Sequence, residues 1–234
     1  MEEDSVAGII VAAGSSTRMD GIDKIWAQLA GRPILAHSVL AMSEVASELV
    51  VVVKQPDEVR VVQMLEGLRL PVQWRITRGG ARRQDSVRSG LRAIRGSEYV
   101  AVHDAARPLA TGALLRKVLE AAKVTGAAIP ALRLTDTIKR VAESQVTETL
   151  DRSQLWAVQT PQVFSTETLK KAYRQAEGSD ELVTDDAMLV ERMEAPVAVV
   201  DGETWNFKVT TPIDLEMAEA LLRVRHHAGM AKPA

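Results

Sequence analysis

Two short apolar runs constrain the fold more than any other feature of the sequence. Val6 to Ala12 is a continuous apolar run that ends in a small-residue loop, and Glu48 to Val53 is rich in β-branched residues. Runs of this length and composition are typical of strands buried on both faces. Apolar residues recur at helical spacing in the segments Pro33 to Met42, Pro56 to Leu65 and Ser86 to Ile94. Strands therefore alternate with helices from the beginning of the chain.

This alternation continues as far as residue 131. Further strands are predicted at Val72 to Ile76, Tyr99 to His103 and Ala127 to Ala131. Thr111 and Gly126 are suited to begin and end a helix between the last two of these strands. The βαβα pattern predicts an α/β fold in which helices cover a mostly parallel sheet. Ligands of such sheets bind in the crevice beyond the carboxyl ends of the strands.

The pattern changes after the last of these strands. From Arg133 to about Asp151 the chain has short, Thr-rich, charged segments without a long apolar face. This composition predicts an extended hairpin outside the main sheet. Farther on, Thr184 to Asp186 is a predicted helix start, and Thr211-Pro212 places a cap and a first-turn proline before another helix.

Composition narrows the chemistry that the chain can perform. The 234 residues are 46% apolar and carry a formal net charge of -2, which supports a folded core and gives no indication of a nucleic-acid partner. The absence of cysteine excludes disulfides, thiolate zinc sites and cysteine nucleophiles. The apolar runs are too short to span a bilayer, and the first residues are acidic rather than basic. We therefore expect a cytoplasmic protein.

The loop after the first strand is the strongest indication of nucleotide binding. Its small residues, Ala12 to Met19, let backbone N–H groups approach phosphate oxygens, and Arg18 can neutralise their charge. Lys24 follows closely, so both cations could converge on one polyphosphate. The loop lacks the dinucleotide-binding and P-loop patterns, and taken alone it is equally compatible with an ordinary strand-to-helix turn.

Two further segments carry groups suited to a ligand. Gly79 to Ser86 is a glycine loop before a helix and could contact a base or ribose through its backbone, although a flexible basic turn would look the same. Val102 to Pro108 ends a predicted strand with Asp104 and Arg107, which could meet Mg²⁺ and phosphate or could pair with each other. His103 is predicted to be structural, because no acidic partner is in view to orient it as a base.

Taken in order, these segments resemble the 2-C-methyl-D-erythritol 4-phosphate cytidylyltransferase family of the non-mevalonate isoprenoid pathway. The likeness runs from about Val6 to Leu222 and rests on several segments together. They are AAGSSTRM, the Lys24 segment, GGARRQDSV, VHDAARP, DTIKR, DRSQLWAVQTPQVF, VTDDA and NFKVTTPIDL.

The resemblance implies a fold and a reaction. The fold is a Rossmann-like nucleotidyltransferase domain over residues 1–234, with a mostly parallel twisted sheet, helices on both faces, and a protruding β-arm at about residues 133–153 that clasps a second subunit in a homodimer. The implied reaction is in-line attack of 2-C-methyl-D-erythritol 4-phosphate on the α-phosphorus of CTP, which releases pyrophosphate. Mg²⁺ would bridge the triphosphate oxygens, with Asp104 as its candidate protein ligand.

The resemblance also implies roles for the matching residues. Arg18 and Lys24 would stabilise the pentacoordinate α-phosphate, and Arg152 and Lys208 would hold the methylerythritol phosphate. Substrate contacts are expected from Asp104, Arg107 and Thr137, with Thr137 and Arg152 acting across the dimer. Contacts with CTP are expected from Ala12, Ala13, Gly14, Gly80, Ala81 and Ser86.

The sequence departs from the family pattern near the proposed α-phosphate site. Ser16 stands where a second glycine is usual, and Asp23-Lys24-Ile25-Trp26 replaces the usual Pro-Lys-Gln-Tyr, which places an acid beside the lysine. Alternative functions are a ribitol 5-phosphate cytidylyltransferase, which shares the fold and the QTPQ segment, and a non-catalytic nucleotide-binding regulator. A dehydrogenase would need a dinucleotide glycine spacing that the first loop lacks.

Overall fold

A computed structural model describes residues 5–14, 23–179, 181 and 183–227 of the chain. The strands are β1 (Val6–Val11), β2 (Gln28–Leu29), β3 (Arg32–Pro33), β4 (Glu48–Val53), β5 (Gln73–Arg78), β6 (Tyr99–Asp104), β7 (Ala127–Arg133), β8 (Lys139–Ala142), β9 (Gln145–Thr149), β10 (Trp156–Val158), β11 (Gln162–Ser165) and β12 (Ala198–Asp201). The α-helices are α1 (Ile34–Ser43), α2 (Glu58–Leu68), α3 (Arg83–Ala93), α4 (Gly112–Thr125), α5 (Thr166–Gln175), α6 (Ala187–Glu191) and α7 (Pro212–His227). Short 3-10 helices cover Lys24–Trp26, Gln55–Asp57 and Arg152–Gln154.

The main sheet has the strand order β5-β4-β1-β6-β11-β7, and β7 also pairs with β10 and β12. Strands β1, β4, β5 and β6 are mutually parallel, whereas β11 runs antiparallel to both of its neighbours. The chain builds outward from β1 to β4 and β5 on one side and then returns to place β6 on the other. The strand order therefore reverses at β1, which is where α/β sheets of this kind bind ligands.

Two apolar layers cover the faces of the sheet. Val6 and Ile10 of β1 pack in one layer with residues of α1, α2 and α4, whereas Ala7 and Ile9 pack in the other with residues of α3, α5 and α6. Because both faces are covered, the sequences of β1 and β4 are continuous apolar runs rather than alternating ones. Within the described ranges, none of the helices has the length and apolar character needed to cross a membrane.

The predicted α/β class and most of the predicted elements are confirmed, with boundaries that differ by a few residues. Thr111 Oγ1 accepts a hydrogen bond from the Leu114 N–H at 3.0 Å, and Gly126 ends α4 with φ of 83°. Helix α6 follows Asp186 directly and α7 begins at Pro212. Strands β2, β3, β10, β11 and β12 and helix α5 were not predicted.

The hairpin of β8 and β9 stands outside the main sheet, as predicted. Its two strands pair only with each other, and every residue in them is exposed. Val141 and Val146 are cross-strand partners with 56% and 62% of their surface exposed. The assignment of residues 1–234 to one domain with an arm for dimerisation at residues 133–153 stays a prediction.

The side chain of Glu48, the first residue of β4, connects three segments at the amino-terminal edge of the parallel strands: β4 itself, β5 and the segment after α3. Its side chain accepts hydrogen bonds from the Arg95 N–H at 2.8 Å and from Ser97 Oγ at 2.9 Å, and it forms an ion pair with Arg75. Burial opposes its charge, but the Arg95 N–H and the Arg75 guanidinium hold the pKa of Glu48 below its ordinary value. Glu48 is therefore a buried carboxylate that these three segments share.

We expect Glu48→Ala to lower the free energy of unfolding by about 3 kcal/mol, because it leaves a partly buried guanidinium without its partner carboxylate. A denaturant titration measures this loss. The matched control is Glu58→Ala, which removes an exposed partner of Arg78 and should have little effect. Equal losses in the two variants would contradict the role assigned to Glu48.

Candidate active site

A cleft of about 310 Å³ lies beyond the carboxyl ends of β1, β5 and β6. It is at the strand where the order of the sheet reverses. Three parts of the chain form its walls: the loop after β1, the loop before α3, and the segments around Asp104 and Lys208. The residues that line it are Val11, Ala12, Ala13, Gly14, Lys24, Ile25, Gly80, Ala81, Arg82, Arg83, Ser86, Asp104, Ala106 and Lys208.

The two small-residue loops touch each other at Gly79. Parallel pairing continues into both loops, since the Ala12 N–H donates to the Val52 carbonyl at 2.8 Å and the Gly79 N–H donates to the Val53 carbonyl at 2.9 Å. A Cβ atom on Gly79 would lie 2.3 Å from the Ala13 Cβ, which is shorter than any real contact. Glycine at this position is therefore what permits the two loops to form one wall of the cleft.

The amino end of α3 opens onto the same wall. Ser86 Oγ accepts a hydrogen bond from the Gly80 N–H at 3.2 Å and donates to the Arg82 carbonyl at 3.3 Å. The Arg82 side chain pairs with Asp85 in the first turn of the helix. A glycine loop that enters a helix in this way places backbone N–H groups where an anion or a base edge can bind.

Asp104, at the end of β6, is held by two cations. Its Oδ1 accepts a hydrogen bond from Arg83 Nε at 3.1 Å, and its Oδ2 accepts one from Lys208 Nζ at 2.7 Å. Burial would raise the pKa of Asp104, but Arg83 and Lys208 hold it far below its ordinary value. Asp104 is therefore a carboxylate at any physiological pH and cannot act as a general acid.

Arg83 connects Asp104 to a second carboxylate behind the cleft. Its Nη1 donates to Asp186 Oδ2 at 2.7 Å, and Asp186 is 0% exposed. The Tyr173 hydroxyl donates to the other oxygen of Asp186 at 2.6 Å. Burial and the Asp186 charge raise the pKa of Tyr173, so this hydroxyl keeps its proton and remains a donor.

His103 is buried and structural, as predicted. Its Nε2 lies 3.2 Å from the Arg107 carbonyl and its Nδ1 lies 3.0 Å from Thr160 Oγ1. Burial lowers the pKa of His103 to about 4, so the ring is neutral at pH 7. A carbonyl can only accept, so Nε2 carries the proton and the Thr160 hydroxyl donates to Nδ1.

Lys208 lies on a segment that is fixed on both sides. The Val209 N–H donates to the Ala106 carbonyl at 2.8 Å, and Asn206 Nδ2 donates to the Thr160 carbonyl at 2.9 Å. Asn206 is 0% exposed. The backbone on either side of Lys208 is thus tied to the loop after β6 and to the QTPQ segment, while 39% of the Lys208 side chain stays exposed at the cleft.

Lys24 enters the cleft from the first 3-10 helix. The next two residues, Ile25 and Trp26, are 3% and 8% exposed. Trp26 Nε1 donates to Asp57 Oδ1 at 2.9 Å, and the Arg60 guanidinium stacks 3.9 Å from the centre of the indole ring. These contacts join the 3-10 helix to the beginning of α2 and so set the direction from which Lys24 reaches the cleft.

The structure does not bring every predicted site residue into the cleft. Arg107 lies behind it, where Nη1 donates to the Asn206 carbonyl at 2.7 Å and Nη2 to the Val158 carbonyl at 3.3 Å. Thr137 and Arg152 are exposed near the base of the hairpin, where Arg152 Nη1 donates to the Thr135 carbonyl. Arg18 and Ser16 lie outside the described residues. The other predicted residues line the cleft.

The described residues do not form a metal site by themselves. They contain no cluster of three or more His, Asp or Glu side chains that could hold an ion. Of the described residues that line the cleft, Asp104 is the single carboxylate, and both of its oxygens already accept from cations. A single carboxylate that already pairs with two cations does not make a dedicated Mg²⁺ site.

Comparison with known proteins identifies the family. The model of the 2-C-methyl-D-erythritol 4-phosphate cytidylyltransferase family matches residues 6–224. The chain belongs to this family. A 2-C-methyl-D-erythritol 4-phosphate cytidylyltransferase of Dehalococcoides mccartyi strain CBDB1 is 43% identical over 94% of this chain and 97% of its own length. The predicted assignment to the family is thus confirmed, and the chain is a nucleotidyltransferase of the cytidylyltransferase class.

Solved structures of the family share the fold. The 4-diphosphocytidyl-2C-methyl-D-erythritol synthase of Anaerococcus prevotii superposes with a TM-score of 0.83 and 30% identity, covering 94% of this chain and 99% of its own. The 2-C-methyl-D-erythritol 4-phosphate cytidylyltransferase of Thermus thermophilus superposes with a TM-score of 0.78 and 35% identity, covering 92% and 98%. The expected nucleotidyltransferase fold is therefore confirmed.

The sequence analysis missed three residues that support this cytidylyltransferase cleft. Arg83 lies inside the GGARRQDSV segment and Asp186 inside VTDDA, but neither received a role. Tyr173 lies outside all the segments that carry the resemblance. A weak signal for Asp186 was available, because an acid at a predicted helix start that is followed directly by apolar residues is well placed to become buried.

We expect Gly79→Ala to raise the Kd for CTP about tenfold or more, since the new methyl group would overlap Ala13 and separate the two loops. Titration calorimetry with CTP measures the change. Gly67→Ala is the control: a Cβ at Gly67 meets nothing within 4 Å, and alanine suits its position in α2. An unchanged Kd in the Gly79 variant would mean that the contact between the loops is not needed for nucleotide binding.

Proposed function

We propose that the chain transfers CMP from CTP to 2-C-methyl-D-erythritol 4-phosphate, which yields 4-diphosphocytidyl-2-C-methyl-D-erythritol and pyrophosphate. The observation that carries this proposal is the meeting of Lys24 and Lys208 with two small-residue loops in one cleft of a cytidylyltransferase fold. Small-residue loops let a triphosphate approach the backbone, and cations stabilise the charge that develops during nucleotidyl transfer.

The nucleotide half of the cleft is the wall built by the two loops. We place the triphosphate along Ala12 to Gly14, where no described residue lies within 4 Å of a would-be Cβ on Gly14. The cytosine and ribose would lie against Gly80, Ala81 and Ser86 at the beginning of α3. This arrangement uses backbone groups, which leaves the charged side chains of the cleft for the phosphates.

The acceptor half is the wall that carries Asp104 and Lys208. Lys208 would bind the phosphate of methylerythritol phosphate, and Asp104 would accept a hydrogen bond from a substrate hydroxyl. Arg107 lies close enough to Asp104 to help keep its pKa low, and in this proposal it supports the acceptor wall. Arg152 and Thr137 lie near the base of the hairpin and outside the cleft, so their expected substrate contacts would require a second subunit.

The chemical step needs no nucleophile from the protein. A phosphate oxygen of the acceptor attacks the α-phosphorus of CTP, the new P–O bond forms, and the bond to the pyrophosphate oxygen breaks in line with it. The attacking phosphate is already an anion, so no general base is required, and the low pKa of Asp104 removes that residue as an acid. Lys24, together with Arg18, would stabilise the charge on the pentacoordinate phosphorus.

We propose that Mg²⁺ enters this cleft on the triphosphate. The described residues do not fit a dedicated ion site, because Asp104 is the single carboxylate among those that line the cleft and it already pairs with two cations. Mg²⁺ commonly keeps several water ligands and is bound chiefly through substrate phosphates. When bound in this way, the ion would offset part of the negative charge of CTP.

The first experiment is pyrophosphate release by the purified protein with Mg²⁺ and CTP, with methylerythritol phosphate and ribitol 5-phosphate compared as acceptors. We expect turnover with the former. The Lys24→Ala protein, purified identically, should turn over about a hundredfold more slowly and controls for contaminating enzymes. Preference for ribitol 5-phosphate would select the alternative acceptor, whereas CTP binding without turnover on either acceptor would indicate a non-catalytic nucleotide-binding protein.

We further propose a homodimer in which the hairpin reaches the cleft of the second subunit. Support comes from the hairpin itself, whose strands are exposed throughout. The cross-strand pair Val141 and Val146 leaves an apolar surface that the described residues of one chain do not cover. A two-stranded ribbon without a packed face is at best marginally stable alone, so contact with another chain would stabilise it.

Mixing of two inactive variants tests the shared site. Arg18→Ala and Arg152→Ala would each inactivate their homodimers, but a heterodimer should contain one cleft that has both arginines. We expect a mixed sample to recover a measurable part of the wild-type turnover after subunit exchange. Fluorescent labels on the two variants show whether exchange has occurred. Exchange without recovery would place both arginines in the same cleft of one chain.

A further inference from the structure

The two cations that bind Asp104 are held very differently. Lys208 reaches Asp104 Oδ2 from a side chain that is 39% exposed, and it is also the residue proposed to bind the acceptor phosphate. Arg83 reaches Oδ1 with a side chain that is 24% exposed, and its other end is bound to Asp186. Lys208 can therefore move from Asp104 toward a ligand, whereas Asp186 holds Arg83 in place from behind the cleft.

Buried residues behind the cleft hold the Arg83 guanidinium in place. Asp186 directly precedes α6 and Tyr173 lies on α5, and both are buried. Tyr173 packs in the apolar layer that contains Leu169 and Leu189. Each oxygen of Asp186 has a different donor, Arg83 on one and Tyr173 on the other. The planar guanidinium is suited to bridge two carboxylates in a fixed direction, which a lysine ammonium cannot do.

We propose that Arg83, anchored by Asp186 and Tyr173, is a positioning residue that keeps Asp104 charged and in place when Lys208 transfers from Asp104 to the substrate phosphate. This inference rests on the proposed function, because it takes Lys208 to be a ligand of that phosphate. Neither Asp186 nor Tyr173 lines the cleft, so both act through Arg83.

The physical reason is the cost of an unpaired buried charge. If Lys208 were the sole partner of Asp104, its departure would leave a partly buried carboxylate without a cation, which is strongly unfavourable. With Arg83 still bound to Oδ1, Asp104 stays paired, and Oδ2 becomes available to a hydroxyl of the substrate. The Lys208 ammonium can then move to the phosphate without leaving the Asp104 carboxylate unpaired.

A double-mutant cycle between Tyr173 and Asp104 tests this chain of contacts. Tyr173→Phe removes one hydroxyl group and should lower kcat/KM for methylerythritol phosphate about three- to tenfold. In an Asp104→Asn background the same change should have almost no further effect, because Tyr173 acts through Arg83 on that carboxylate. Fold-changes that simply multiply would show a general structural role and overturn the inference.

The other tyrosine of the chain provides a matched control. Tyr99 lies at the first position of β6, at the edge of the sheet opposite the cleft, and it is also buried. Tyr99→Phe should therefore leave kcat/KM unchanged. If it lowers kcat/KM as much as Tyr173→Phe does, loss of a buried hydroxyl is sufficient to explain the effect and the proposed path fails.

Hydrogen exchange of the Arg83 Nε–H, followed by NMR, tests the same contacts without catalysis. This proton is bound to Asp104 Oδ1 and should stay protected in Lys208→Met, which imitates the departure of the lysine. In Tyr173→Phe it should exchange about threefold or more faster. Loss of protection in Lys208→Met would show that Arg83 does not remain on Asp104 and would overturn the inference.

The two measurements separate this inference from the proposed function. A wild-type protein that releases no pyrophosphate from CTP and methylerythritol phosphate contradicts the proposed function, while the exchange measurement still decides whether Arg83 stays on Asp104. An active wild-type protein with a multiplicative cycle leaves the function in place and removes the role of Tyr173 and Asp186.

Discussion

The position of β1 between β4 and β6 is the constraint on which the rest of the site depends. Both edges of β1 are paired in parallel and both faces are buried, so a shift of one residue would send Ile9 and Ile10 into the wrong layers. The register aligns Val11 with Val52 of β4 and with Asp104 of β6. Strand β4 in turn aligns Val53 with Arg78 of β5, so the loops after β1 and β5 and the end of β6 emerge at the same edge of the sheet. The register thus sets the sheet edge at which the cleft forms, and contacts outside the sheet add Lys24 and Lys208 to it.

Cations and carboxylates alternate at this cleft, so the cleft can contain a carboxylate and still bind a polyphosphate. From the surface inward, Lys208, Asp104, Arg83 and Asp186 follow one another through hydrogen bonds of 2.7 to 3.1 Å. Each anion is neutralised by a cation that it contacts directly, so Asp104 does not present an uncompensated negative charge to a phosphate. The inner pair, Arg83 and Asp186, orients the carboxylate of Asp104 in the outer pair. In this arrangement Lys208, which is proposed to move to the substrate, is separate from Arg83, which is proposed to stay in place.

The parts of the fold that depend on local pattern could be predicted from the sequence, and those that depend on tertiary context could not. Strands β1 and β4 are long apolar runs, and Thr111 and Gly126 mark the ends of α4. Strands β10 and β11 have three and four residues, too few to show a period. Helix α5 buries Leu169, Ala172 and Tyr173, which stand at helical spacing, so this helix could have been predicted from its pattern. The Arg83–Asp186 pair joins residues 103 positions apart, and nothing local relates them.

The segment around Lys24 shows how residues that depart from the family pattern are accommodated in the structure. Asp23 participates in the short helix through its backbone, since its carbonyl accepts from the Trp26 N–H at 2.9 Å. Trp26 fills a buried position, and its indole N–H finds an acceptor in Asp57, as a buried polar group must. Stacking of Arg60 covers the outer face of the ring. The larger aromatic residue is thus accommodated by partners on the beginning of α2, and the backbone of Lys24 is held at the mouth of the cleft by contacts that do not involve the ammonium. The backbone position of Lys24 is therefore set without the carboxylate of the acid beside it.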